Sequence, residues 1–123
     1  MARKARLSRG LTFNAARRIV MAFPGVEEAP CYGTPGYRVR SALLARLKED
    51  GETLVVKTTF VDRDFLLSAR PDLYFITDHY RNYPYLLVRL KVSRADELRD
   101  LVEAAWRRAA PKRLVAAYDA KTP

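Results

Sequence analysis

A chain of 123 residues, 49% hydrophobic and 30% charged, has the size and apolar content of one folded domain, able to bury roughly two-thirds of its unfolded surface without disulfides. The hydrophobic content excludes a disordered chain. The single cysteine, Cys31, excludes an internal disulfide or a multi-cysteine metal knuckle, and no apolar run approaches the ~20 residues of a membrane helix. The 23 Lys and Arg against 14 Asp and Glu leave a formal charge of +9, which favours anionic partners, nucleic acid first.

Residues 1–9 carry Arg3, Lys4, Arg6 and Arg9, and nothing acidic precedes Glu27, so a loose basic arm is expected there. A transit peptide has a similar composition, but the apolar spacing that follows belongs to a fold. Thr12 suits an N-cap, and Phe13, Ala16, Ile19, Val20 and Phe23 recur at helical spacing until Phe23-Pro24-Gly25 stops them. Residues 26–36, with Pro30, Gly33, Pro35 and Gly36, read as loop. The period then becomes two. Tyr37 and Val39 alternate with Arg38 and Arg40, a turn at Arg40-Ser41 leads into 42–48, and Asp50-Gly51 signals a hairpin into the β-branched run 53–59. This is a three-stranded meander.

A short helix over about 62–69 is expected next, capped by Asp62, with Phe65, Leu66 and Ala69 inward. A short strand at 73–77, a loop at 78–84 and a strand at 85–92 follow. Ser93 and Asp96 look like a capping pair for a helix whose Leu98, Leu101, Val102, Ala105, Trp106 and Ala109 form a core stripe. Pro111 opens a terminal segment of one or two helical turns. The order α-βββ-α-ββ-α predicts a single two-layer α+β domain over 10–118, an antiparallel sheet with helices packed on one face, and a tail at 119–123.

Strand alternation sorts the sheet residues onto two faces. Tyr37, Val39, Leu43, Ala45, Leu47, Leu54, Val56, Leu86, Val88, Leu90 and Val92 are expected toward the helices. Arg38, Arg40, Leu44, Arg46, Lys48, Val55, Lys57, Tyr85, Leu87, Arg89 and Lys91 are expected on the opposite face. Like charges across strands destabilise a sheet, and phosphates would relieve them. Arginine and lysine meet phosphates while rings stack on unpaired bases. The expected nucleic-acid contacts are therefore Arg38, Arg40, Arg46, Lys57, Tyr85, Arg89 and Lys91, with the arm, Lys112 and Arg113 as auxiliaries. Two bland readings stand beside this one. A GC-rich genome gives the same excess of arginine, and the same side chains could splay into water, pair with Glu49, Asp50 or Asp78, or line a homodimer contact.

No catalytic constellation, metal-ligand spacing or cofactor motif is readable. His79 has no Ser or Cys partner at a recognised spacing and no second histidine. His79, Tyr80 and Tyr83 remain a candidate ligand loop. The expectation is a cytoplasmic, non-enzymatic binding module with no cofactor. Its partner is nucleic acid, DNA before RNA, and not a membrane; a protein-interaction or homodimerisation domain is the alternative, and a small-molecule binder centred on His79 comes after it.

The stretch "LTFNAARRIVMAFPGVEEAPCYGTPGYRVRSALLARLKEDGETLVVKT" resembles the N-terminal half of the MmcQ/YjbR family. "YFITDHYRNYPYLLVRL" is similar to that family's late hairpin, and "AWRRAAPKRL" to its closing helix. The resemblance covers roughly 11–118. It implies a compact CyaY-like, double-wing α+β fold and DNA binding, the property with which members are commonly labelled. It suggests His79, Tyr80, Arg89, Lys112 and Arg113 as functional-surface positions. This chain departs from the family at Ser41-Ala42, where many members have Gly-Lys, and at Arg81-Asn82-Tyr83-Pro84-Tyr85, where many have a Lys-x-His-Trp run.

Overall fold

A computed structural model of the protein describes residues 10–121; the arm expected at 1–9 lies outside the described residues. Ten elements follow one another: α1 (Phe13–Met21), β1 (Val26–Cys31), β2 (Thr34–Val39), β3 (Ala42–Leu47), β4 (Thr53–Lys57), α2 (Phe60–Ala69), β5 (Tyr74–Phe75), β6 (Tyr85–Arg89), α3 (Ala95–Ala109) and α4 (Lys112–Lys121). The strands form one antiparallel sheet in the order β1-β2-β3-β4-β6-β5, with the main helical core on one face. The α+β class, the antiparallel sheet and the succession of helical and strand blocks are as the sequence predicts, with one more strand, β1, ahead of the expected three-stranded meander. Among the described residues no helix is long and apolar enough to cross a membrane.

α1 begins where the cap residue dictates, with Thr12 Oγ1 accepting from the Ala15 N–H at 3.1 Å. Residues 26–36 are not loop but the outermost hairpin of the sheet. Pro30 is tolerated because β1 is an edge strand, and Pro35 precedes the part of β2 that pairs with β3. Gly36 lets the hairpin close, since a Cβ there would lie 2.6 Å from that of Cys31.

The meander departs from simple alternation at one place. Tyr37 pairs with Ala45 but Arg38 with Leu43, so β3 carries an extra residue, Leu44. This bulge turns Leu44 into the core and leaves Leu43 on the opposite face, the reverse of the predicted parity.

α2 is capped by Thr59, not Asp62; Thr59 Oγ1 accepts from the Asp62 N–H at 3.1 Å. Its expected inward residue Phe65 is instead 69% exposed, while Leu66 and Leu67 pack on the core. β6 ends at Arg89, and 90–92 form a 3₁₀ turn, because the chain start takes the backbone partners there. Leu11 N–H donates to the Leu90 carbonyl and Gly10 N–H to that of Ser93. Ser93 is buried and makes no cap for α3, and Asp96 accepts from the adjacent Glu97 N–H. α4 is longer than predicted, running to Lys121 through part of the expected tail, and Leu114, Val115 and Tyr118 pack it onto the core.

Trp106 anchors the helix side. It is fully buried, donates from Nε1 to the Pro24 carbonyl at 2.9 Å, and packs against Phe23 and Tyr118. The opposite sheet face holds a second, smaller cluster in which Val55, Leu87 and Tyr80 are buried and Phe75 and Tyr85 pack around them.

Candidate ligand cleft on the outer sheet face

The outer face was expected to be an open cationic platform. Its centre is covered instead. Residues after β5 turn through a 3₁₀ turn at Asp78–Tyr80 and lay Tyr80 over Val55 and Leu87. Arg63 of α2 holds this segment from behind. Its buried guanidinium donates from Nη1 to the carbonyls of Arg81 at 3.0 Å and Tyr83 at 3.1 Å, with Tyr80 O at 3.4 Å. A buried cation that spends its protons on loop carbonyls fixes the loop as a cap would fix a helix end.

Arg46 lies beneath the Tyr80 side chain, on the row Gly36, Arg46, Val55, Leu87, Phe75 that crosses the sheet. It is only 5% exposed. Nη1 donates to Tyr80 Oη at 2.9 Å and Nη2 to Glu49 Oε2 at 3.0 Å, while Nε is buried with no hydrogen-bond partner among the described residues. Hydrogen bonding by its own backbone N–H, aided by Arg46, holds the Glu49 carboxyl below the usual carboxylate range. Arg46 is thus a built-in part of the wall and not a freely projecting phosphate contact.

The β1–β2 hairpin supplies the other side. Its two-residue turn, Tyr32-Gly33, has φ of +55° and +81°. Such turns ordinarily carry Asn-Gly, because a bulky L-residue is strained in this region. Tyr32 is nevertheless there, 84% exposed, with the Arg46 guanidinium carbon 5.5 Å from its ring centroid.

Between the hairpin and the 78–84 segment runs a cleft of about 310 Å³, lined by Tyr32, Leu43, Arg46, Val55, His79, Tyr80, Tyr83 and Tyr85. It continues into a second hollow of about 360 Å³ bounded by Lys48 and Glu49. The His79 ring meets Tyr80 edge-on at 4.8 Å, and Tyr80 meets Tyr85 at 5.8 Å. Arg38, paired with Leu43, and Lys57, paired with Tyr85, bound one edge of the cleft. Neither has a carboxylate partner among the described residues: Arg38 donates to the Ser41 carbonyl and Lys57 Nζ lies 5.3 Å from the Tyr85 ring centroid. Burial pushes the Tyr85 phenol up, and the Arg38 charge opposes that rise.

The structure brings Arg38, Arg46, Lys57, Tyr85, His79, Tyr80 and Tyr83 together at this cleft. Arg40 is exposed on the β2–β3 turn with φ +56°. Arg89 is on the same face but toward its far edge, over Phe75 at 4.3 Å and bonded to the Pro71 carbonyl. Lys91 leaves the face with the 3₁₀ turn and pairs with Glu52 at 2.6 Å. Lys112 and Arg113 belong to α4, in the helix layer on the other side of the sheet. Three residues of the site escaped sequence reasoning: Tyr32, Arg63 and Leu43. Tyr32-Gly33 between two short runs was a legible hairpin signal, masked by the neighbouring prolines.

The YjbR family model matches residues 21–108 of the chain. Uncharacterized proteins of Mycobacterium tuberculosis (Rv2570) and Mycobacterium bovis (Mb2600) are each 42% identical over 53 residues, 43% of this chain and 41% of the relative. The match spans about two-fifths of the length of these curated relatives.

Proposed function

The chain belongs to the YjbR family, and we propose that it is a cytoplasmic nucleic-acid-binding module that engages phosphates along the rim of the outer-face cleft, DNA before RNA. The observation that carries this reading is the setting of two cations at the cleft. In the helix layer Arg17, Arg70, Arg94 and Arg107 each have a carboxylate partner, and Arg18, Arg99, Lys112 and Arg113 have none among the described residues. Arg38 and Lys57 at the cleft have none among the described residues, although each sits beside apolar or aromatic surface. Cations left unneutralised beside rings match a strand that offers phosphates at its edge and bases at its centre. Arg40 and Arg89 extend the rim in two directions.

The test is the salt dependence of binding to a labelled oligonucleotide, followed by anisotropy. The logarithm of affinity is expected to fall with the logarithm of salt concentration at about 0.7 per phosphate on a single strand or 0.9 on duplex DNA. Changing Arg38 and Lys57 together to Gln is expected to flatten that slope by about two phosphates' worth. A slope near zero for the native chain overturns the reading.

A second reading, protein association, is supported by α2, which exposes Phe60, Val61 and Phe65 to solvent. Contiguous exposed apolar side chains favour a protein contact. Light scattering across concentration tests it through self-association that Phe65→Ser abolishes.

A further inference from the structure

The cleft is shaped for something narrower than a polyanion. Tyr32 holds a left-handed backbone conformation that a bulky side chain adopts only at an energetic cost, and at the first position of this two-residue turn Asn would adopt it with less strain. Strain kept at a solvent-exposed hairpin tip does nothing for packing, since the ring buries little surface. One face of that ring is backed by the Arg46 guanidinium, a cation itself buried and pinned by Tyr80 and Glu49. The ring is therefore positioned, and it stands at the mouth of a hollow with Leu43 and Val55 on its floor and Tyr83 and Tyr85 along it. About 310 Å³ is at the small end of ligand sites, room for one planar ring system with its sugar.

We propose that this cleft receives one unpaired nucleobase, stacked on Tyr32, so that the ligand is a single-stranded segment and not an intact duplex. The inference rests on the nucleic-acid reading above and adds the strand state and the contact that selects it. Stacking on a ring accepts any base, because each has a π face, so recognition is sequence-tolerant. Arg38 and Lys57 lie where the flanking phosphates of an inserted nucleotide would pass. Leu43 and Val55 line the cleft as apolar surface for a base freed from its partner strand.

The experiment compares four ligands of the same length: a thymidine 12-mer, a 12-mer in which every base is replaced by an abasic tetrahydrofuran residue, a 12-bp duplex, and the thymidine strand with bromouracil at its centre for photocrosslinking. Each is titrated with the native chain and with Tyr32→Asn, which removes the ring and keeps the turn. The thymidine strand is expected to bind roughly 5- to 150-fold more tightly than the abasic strand, the range of one to three kcal/mol per stacked base. Tyr32→Asn is expected to erase that difference while abasic binding and its salt slope stay unchanged. The crosslink is expected on Tyr32, Tyr83 or Tyr85.

Equal affinity for thymidine and abasic strands overturns the base pocket and leaves the phosphate-rim reading standing, because both still bind with a salt slope. Tighter binding to the duplex that Tyr32→Asn weakens overturns it too, in favour of a hairpin tip that reads a groove. Failure of every ligand to bind removes both readings at once.

Discussion

The two faces of the sheet are closed by different means. On the helix side α1, α3 and α4 seal the core with aliphatic and aromatic packing around Trp106, and some arginines at its surface, Arg17 and Arg107 among them, are matched to carboxylates. On the outer side one short segment covers a small cluster, and the covering depends on two buried arginines, Arg63 holding loop carbonyls and Arg46 holding Tyr80. The first arrangement needs only shape and is tolerant of polar variation around it. The second needs directed hydrogen bonds in a low-dielectric setting, where a lost partner is expensive. The candidate cleft lies on the second face, where Arg38 and Lys57 stand beside apolar and aromatic side chains with no carboxylate partner among the described residues.

The contrast can be broken most severely at Trp106. Trp106→Ala is expected to destabilise the fold by about 3–5 kcal/mol, read from urea unfolding, through a large cavity and the loss of the bond to Pro24. In any folded population that remains, the salt slope of binding should be unaltered. Arg63→Met comes next. Removing a charged donor that serves loop carbonyls should cost about 1.5–3 kcal/mol. Hydrogen exchange should then quicken at amides 78–83 while α3 stays protected; equal protection at both places would show that the segment does not depend on this clamp.

Tyr32→Asn should act in the opposite direction. Relief of the strained turn is expected to raise stability by about 1 kcal/mol even as affinity for a single strand falls. A loss of stability would mean the ring contributes to the fold after all.

The smallest effect belongs to the acid limb at the edge of the helix layer. Arg17, donating to Glu28 from Nε at 2.8 Å and Nη2 at 3.0 Å, and the Tyr37 hydroxyl at 2.7 Å hold the Glu28 carboxyl below its usual range. A depressed folded-state value means that stability is contributed above the unfolded carboxyl pKa and lost as pH falls through the folded one. The stability difference between native chain and Glu28→Gln should therefore be present at neutral pH and vanish at acid pH. A difference that persists at low pH would assign the effect to packing instead.

Much of this was legible in the residues themselves. The cap at Thr12, the stop at Phe23-Pro24-Gly25, the hairpin at Asp50-Gly51 and the stripe from Leu98 to Ala109 are local signals, each readable because periodicity or turn chemistry acts within a few residues. The class of the fold followed from their order. The errors lie where distant parts of the chain decided. A bulge at Leu44 reversed one stretch of parity; pairing of Leu11 with Leu90 ended β6 early; Thr59 was a better cap than Asp62 once the strand before it was set.

Composition and spacing alone determined that this is a basic α+β domain with cations on alternate strand positions, since net charge and side-chain period are properties of the chain. Which of those cations stay free was decided only in three dimensions. Arg46 and Arg63 are buried against a segment whose path the sequence does not announce, and Tyr32 and His79 come to line one hollow. The reason is that burial and pairing depend on what folds over a residue, which is set by contacts between segments far apart in the chain and not by the neighbours on either side.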